Sequence, residues 1–164
     1  MVQITIEYMI MIPILILQIF LFPLTAGWIM STWTDSRQTL ALQETASHIG
    51  SSVHQVYSAL NHESISEGVV TNSLEIPPFI EGYSYRGNAS LRALSSSSNS
   101  SKILDITLRF MGSRITTTTS VTLGQNVEWQ DSEFLSNSTH ASLVAEKYLN
   151  GTEPVVLMYF EGVD

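Results

Sequence analysis

The chain has 164 residues, no cysteine, and 15 acidic against 7 basic side chains, giving a formal net charge of −8 at pH 7. The missing cysteines exclude a disulfide framework and thiolate chemistry. The basic residues, scattered singly at Arg37, Arg86, Arg92, Lys102, Arg109, Arg114 and Lys147, do not make the stripe that nucleic-acid binding requires.

From residue 8 to residue 30 there is no charge, and only Gln18 and Thr25 are clearly polar interruptions. That is the length of helix needed to cross a bilayer's hydrocarbon. Beyond it, Leu42, Ala46, Ile49, Val53, Val56 and Leu60 follow one another at spacings of three and four, the period of one helical face. The two halves together predict one helix of nearly sixty residues, roughly 85 Å long at about 1.5 Å per residue, apolar all round in front and amphipathic behind. The expected division is therefore an N-terminal helix over residues 1–61 and one β-rich domain over 62–164.

Several residues mark this helix. Pro13 and Pro23 fall inside the apolar run, where each removes a backbone donor; in a membrane this is tolerated when neighbours re-satisfy the freed carbonyls. Trp28 and Trp33 suit either an interfacial belt in a bilayer or packing between helices in a fibre. His48 and His54 are six apart, which does not give the shared face that helical metal ligands use at i, i+4. Gly50-Ser-Ser52 lowers helix propensity and predicts a flexible point.

After Asn61 the apolar period changes from helical to alternating. Six runs read as strands: Gly68 to Thr71, Tyr83 onward to Leu94, Ile103 to Phe110, Arg114 to Leu123, Ser142 to Tyr148, and Pro154 to Phe160. Six strands in sequence predict an antiparallel sandwich or curled sheet, making the fold class α+β. Met111-Gly-Ser113 and Asn150-Gly151 are turn joins, and the second is the strongest hairpin signal in the chain. The serine-rich stretch 95–101 reads as a solvated hairpin tip, and the polar stretch 125–139 as a surface excursion.

Four of the seven asparagines, Asn88, Asn99, Asn137 and Asn150, stand in glycosylation acceptor patterns. Their use would place the C-terminal domain outside the cell as a glycoprotein. No catalytic arrangement is legible. Asp131 and Glu133 read as surface carboxylates, no Gly-x-Ser-x-Gly elbow occurs, and His140 has only a threonine and an alanine beside it. Phosphate-cradling glycine loops are also missing. The expectation is a non-enzyme with no cofactor and no metal.

The opening Gln3-Ile-Thr-Ile-Glu7-Tyr-Met-Ile-Met11 resembles archaeal type IV pilin-like proteins, the class III signal-peptide family, whose processing motif runs Gln, any, Ser, any, Glu and then an apolar helix. Thr5 stands where serine is usual. The resemblance implies a short, usually basic leader, removed just before Gln3 by a prepilin-type membrane peptidase; here Met1 and Val2 precede the junction and neither is basic. Glu75-Ile-Pro-Pro-Phe-Ile-Glu-Gly-Tyr-Ser-Tyr85 is similar to the Leu-Pro, Ile, Gly, Tyr sequence that opens the β-domain of many such proteins.

In pilins the glutamate matching Glu7 pairs with the free amino terminus of a neighbouring subunit. The alternative is a solvated carboxylate favouring the helix N-terminus through its dipole. Pilin helices often bend or melt near a proline matching Pro23, while Glu7 followed by Pro13 is similar to the TadE-like pseudopilins. The resemblance thus implies a structural subunit of an extracellular pilus-like filament, with assembly residues Gln3, Glu7, Pro13 and Pro23 and a processing site at Val2 and Gln3. Its implied partners are the membrane before assembly, pilus machinery, and copies of itself. The alternatives are a minor pseudopilin or archaellum accessory subunit, and a single-pass membrane-anchored surface-binding protein.

Overall fold

A computed structural model of the chain describes residues 2–94, 100–151 and 153–162, with side chains from residue 8 onward. It is α+β, with one long N-terminal helix, α1 (Val2–Leu60), followed by eight strands. These are β1 (Gly68–Ser73), β2 (Tyr85–Ala93), β3 (Lys102–Phe110), β4 (Thr116–Leu123), β5 (Val127–Trp129), β6 (Glu133–Leu135), β7 (Ser142–Asn150) and β8 (Glu153–Glu161). Two compact units divide between Arg37 and Gln38, so the amphipathic part of α1 belongs to the body that holds the strands. The helix ends at Leu60.

The strands form two four-stranded sheets, ordered β1-β7-β8-β5 and β4-β3-β2-β6. The second sheet is antiparallel throughout. The first is mixed, because β5 runs parallel to β8 while β1, β7 and β8 pair antiparallel. Burial alternates along the strands as the two-residue side-chain period requires: Tyr85, Gly87 and Ala89 of β2 and Leu104, Ile106, Leu108 and Phe110 of β3 point inward. All of these but Gly87 join Val156, Met158 and Phe160 of β8 in one hydrophobic core.

All six residues of the helical stripe, Leu42, Ala46, Ile49, Val53, Val56 and Leu60, belong to that core. The expected flexible point does not form, because α1 runs unbroken through Gly50. Gly50 serves close approach instead. A Cβ there would lie 3.0 Å from Val121 Cγ2 and 3.6 Å from Thr119 Cγ2, so the missing side chain lets the helix backbone come down onto β4. The last helical turn carries no basic residue. Lys147, buried on β7, supplies the charge by donating to the His62 carbonyl at 3.0 Å, where a cation complements the carbonyl end of the helix.

The stretch 125–139 is corrected from a surface excursion to a structural bridge. It places β5 at one edge of the first sheet and β6 at one edge of the second, and it buries Val127 and Phe134 completely. Three-residue strands are too short to show alternation, and only their partners reveal them. Phe134 fits because β2 has a glycine opposite: a Cβ on Gly87 would stand 2.2 Å from the Phe134 ring. Ser136, two residues on, donates to the Pro78 carbonyl at 2.8 Å and accepts from the Tyr85 backbone N–H at 2.9 Å. The Tyr85 hydroxyl donates to the Pro77 carbonyl at 2.8 Å. Two buried hydroxyls thereby fix a proline pair that has no N–H of its own to offer a sheet.

Turn chemistry follows the sequence at two joins. Gly112 and Gly151 take φ of 79° and 70° between β3 and β4 and between β7 and β8. Tyr83, expected to open β2, instead closes a tight turn with Ile80 through paired backbone bonds of 2.9 and 3.0 Å, and Glu81 and Gly82 between them have φ of 50° and 84°. The expected hairpin tip at 95–101 lies largely outside the described residues.

Gly87→Ala is expected to cost about 1–3 kcal/mol of stability because it overpacks against Phe134, and Ile49→Ala about 2–5 kcal/mol because it opens a cavity under the helix. Leu40→Ala, on the exposed face, is expected to change stability by less than about 0.5 kcal/mol. Urea midpoints of the three variants check this ordering. A second expectation concerns the Arg92–Asp105 ion pair at 2.5 Å on the outer face of the second sheet. Hydrogen bonds from Arg92 and then Ser120 hold the Asp105 carboxyl below its ordinary range. A carboxylate depressed on folding stabilises above its unfolded pKa of about 3.9 and loses that contribution as pH falls through its lower folded value. Asp105→Asn should therefore lower the urea midpoint at pH 7, and the difference from the parent should shrink as the pH falls below the unfolded value of about 3.9.

Candidate assembly surface

An α-helix satisfies its own backbone, so the solvent it needs is set by its side chains. Every side chain from residue 8 to residue 33 is exposed. The apolar ones range from Ile14 at 50% to Met9 at 77%, so none is substantially covered by the rest of the chain. By length and composition the helix is able to cross a membrane.

The few hydroxyls in this segment do not spoil its apolar surface. Thr25 Oγ1 donates to the carbonyls of Leu21 and Phe22, both at 3.0 Å. Ser31 and Thr32 both return to the Trp28 carbonyl at 2.9 Å, and Thr34 returns to Met30 at 2.9 Å. Such back-bonding removes the polar atoms from the account that a lipid or protein neighbour would otherwise have to settle. Gln18 differs, because its exposed amide has no hydrogen-bond partner among the described residues. The run ends in a polar cap where the Arg37 guanidinium lies 4.9 Å from the centroid of the Trp33 ring.

Both prolines lie within α1. Neither has an N–H to give, so the carbonyls four residues earlier, of Met9 and Ile19, lose their usual donors. Each proline borders a shallow apolar notch: Pro13 with Ile16, Leu17 and Phe20, and Pro23 with Leu15, Ile19 and Phe22. These notches are open to whatever lies beside the helix.

The remaining expected site residues are placed unevenly. The side chains of Val2, Gln3 and Glu7 lie outside the described residues, as does Asn99. Asn137 is exposed in the turn after β6, and Asn150 is exposed at the end of β7. Asn88 is exposed in the middle of β2, on the outward face between Thr107 of β3 and Glu133 of β6. A group attached there would stand on a sheet face rather than at a loop tip. His48, His54 and His140 are exposed. Glu133 pairs with Arg86 at 3.3 Å across the outer face, and Asp131 is exposed. Among the described residues no group of three or more acidic or histidine side chains converges as a metal site would.

No family model, curated protein or solved structure matches the chain. The chemistry of this surface therefore rests on the residues themselves. A charge near its centre is expected to expose its nature directly. Leu17→Lys should raise the free energy of membrane insertion of the full chain by about 2.5–3.5 kcal/mol, whereas Thr25→Val, whose hydroxyl is already bonded within the helix, should change it by less than about 1 kcal/mol. The inserted fraction in a microsomal assay measures both.

Proposed function

We propose that the chain is the structural subunit of an extracellular archaeal type IV pilus-like filament. The observation that carries this reading is the contrast along one helix. Its later stripe is buried in its own β-domain, while residues 8–30 expose apolar surface on every side. A helix that is apolar all round requires an apolar surrounding. Before assembly the bilayer supplies it. Afterwards identical helices supply it to one another, so that membrane and filament core are interchangeable solvents for the same side chains. The contacts are heterologous, and stacking that does not close yields an open helical fibre.

In this scheme a prepilin-type peptidase cleaves before Gln3, and Glu7 of one subunit meets the new ammonium of another, which offsets the cost of a carboxylate in apolar surroundings. Pro13 and Pro23 loosen the helix where neighbouring helices must fit. The β-domain, of sandwich type, is carried outward with the acceptor asparagines Asn88, Asn137 and Asn150 on its surface, and the subunit acts as a polymer unit rather than an enzyme. A minor pseudopilin or archaellum accessory subunit would share these features but appear in trace amounts, and a passive single-pass anchor would not polymerise.

Mass spectrometry of the native protein is expected to show Gln3 as the first residue, and electron micrographs of the sheared cell-surface fraction to show fibres made mainly of this chain. Glu7→Gln is expected to insert into the membrane normally yet to abolish fibres. Unchanged fibre yield in that variant would remove the assembly role of Glu7, and native material found only as monomers in vesicles would leave the anchor reading.

A further inference from the structure

The β-domain carries an open polar bowl, lined largely by exposed residues, that the filament reading does not use. It has a volume of about 670 Å³ and lies where the end of α1, the β4–β5 connection, the start of β3 and the β7–β8 hairpin meet. Its floor is a directed chain of hydrogen bonds. The chain begins at the Tyr57 hydroxyl, which lies over the Gly124 backbone. That hydroxyl donates to Asn126 Oδ1 at 2.9 Å, and Asn126 Nδ2 donates to Asn61 Oδ1 at 2.8 Å. Burial pushes the Tyr57 hydroxyl up from its ordinary pKa, so it remains a protonated donor and the direction of the chain does not reverse near neutrality.

This direction decides what the bowl presents. Asn61 uses one lone pair of its side-chain carbonyl inside the chain and keeps both NH₂ donors uncommitted, and Asn126 has one N–H left. Lys102, whose Nζ is held on the Val127 carbonyl at 2.6 Å, adds two more donors. Two carboxylates share the lining. Glu128, steadied by the Tyr148 hydroxyl at 3.2 Å, has one oxygen uncommitted, and Glu153 has no partner among the described residues. The floor is built and not incidental: a Cβ on Gly124 would fall 2.1 Å from the Tyr57 oxygen, and the Asn126 carbonyl is itself pinned by the Val156 N–H at 2.8 Å.

Fixed amide donors beside carboxylate acceptors select a ligand whose groups accept and donate at once. A hydroxyl does both, while a phosphate or carboxylate ligand would meet Glu128 and Glu153, and an apolar ligand would leave every one of these groups unpaired. The volume is on the scale of small-molecule sites. We propose that this bowl binds a neutral carbohydrate, the sugar hydroxyls accepting from Asn61, Asn126 and Lys102 and donating to Glu128 and Glu153. Asn150 lies on its rim. The sugar thus has two sources with the same chemistry, a glycan carried on Asn150 or a free glycan of another surface.

The test uses the full chain in alkyl-phosphocholine micelles, because a sugar-headed detergent would compete. Saturation-transfer NMR is run with the methyl glycosides of glucose, galactose and mannose, with N-acetylglucosamine, and with galacturonic acid as the charged control. At least one neutral sugar is expected to bind with a Kd at or below about 10 mM, and galacturonic acid at least about tenfold more weakly than that sugar. Glu128→Gln and Asn61→Ala are each expected to weaken binding about tenfold while leaving the thermal midpoint in place, with the exposed Glu153→Gln as a further variant should either fail to fold. Protein made in a glycosylating host separates the sources. Binding of free sugar only after Asn150→Gln identifies the chain's own glycan as occupant, and equal binding before and after identifies a free one. Absence of saturation transfer from every neutral sugar in both the parent and Asn150→Gln overturns the proposal, as does affinity unchanged by all folded bowl variants. Fibre formation is not part of this readout, so the filament reading stands or falls separately.

Discussion

Apolar surface has to be covered, and α1 meets that requirement in two different ways. From Leu42 to Leu60 the cover is internal: one face is apolar, and the inner side of the chain's own sheets receives it. From residue 8 to residue 30 no face is polar enough to be left in water, and the described residues offer no cover. The hydroxyls of Thr25, Ser31, Thr32 and Thr34 turn back onto helix carbonyls, which removes the polar groups that would penalise a lipid or protein neighbour. The filament proposal starts from that unmet requirement.

The β-domain is held by a different kind of contact. Its two sheets share a core, and one of the crossings between them is the polar stretch that places β5 on an edge of the first sheet and β6 on an edge of the second. Short pieces of this kind shield edges that would otherwise remain open to pairing. The same stretch supplies Ser136, which joins Tyr85 in holding Pro77 and Pro78 at the start of the domain. Burial of the Tyr85 ring drives its hydroxyl far above the usual tyrosine range, consistent with its role as a permanent donor to a carbonyl. Lys147 and Lys102 are used in the same manner, each giving its ammonium to a backbone carbonyl, of His62 after α1 and of Val127 in β5.

Filament subunit and passive anchor share the helix, and they differ in what replaces the lipid. The filament proposal has further copies replace it, and the two proline notches and the Gln18 amide, without a partner among the described residues, would give a neighbouring helix something to fit. The polar bowl is independent of that choice. It would allow either kind of surface protein to hold a glycan.

Much was legible in the sequence because it depends on residues near one another along the chain. Local spacing located the helix, its buried stripe, six strands and the Asn150-Gly151 hairpin, since periodicity and turn chemistry act over a few residues. What it missed shares a different property. The strands β5 and β6 exist only because distant partners receive them, and the role of Gly50 is visible only once β4 lies above it. The bowl joins Tyr57 to Asn126 and Asn126 to Asn61, pairs 69 and 65 residues apart, through amides that look like ordinary polar loop residues when read in order. The sequence by itself determined which surfaces must leave water, because hydrophobicity belongs to each side chain. Only the tertiary structure decided which polar groups would meet, because hydrogen bonds depend on distance and direction in space.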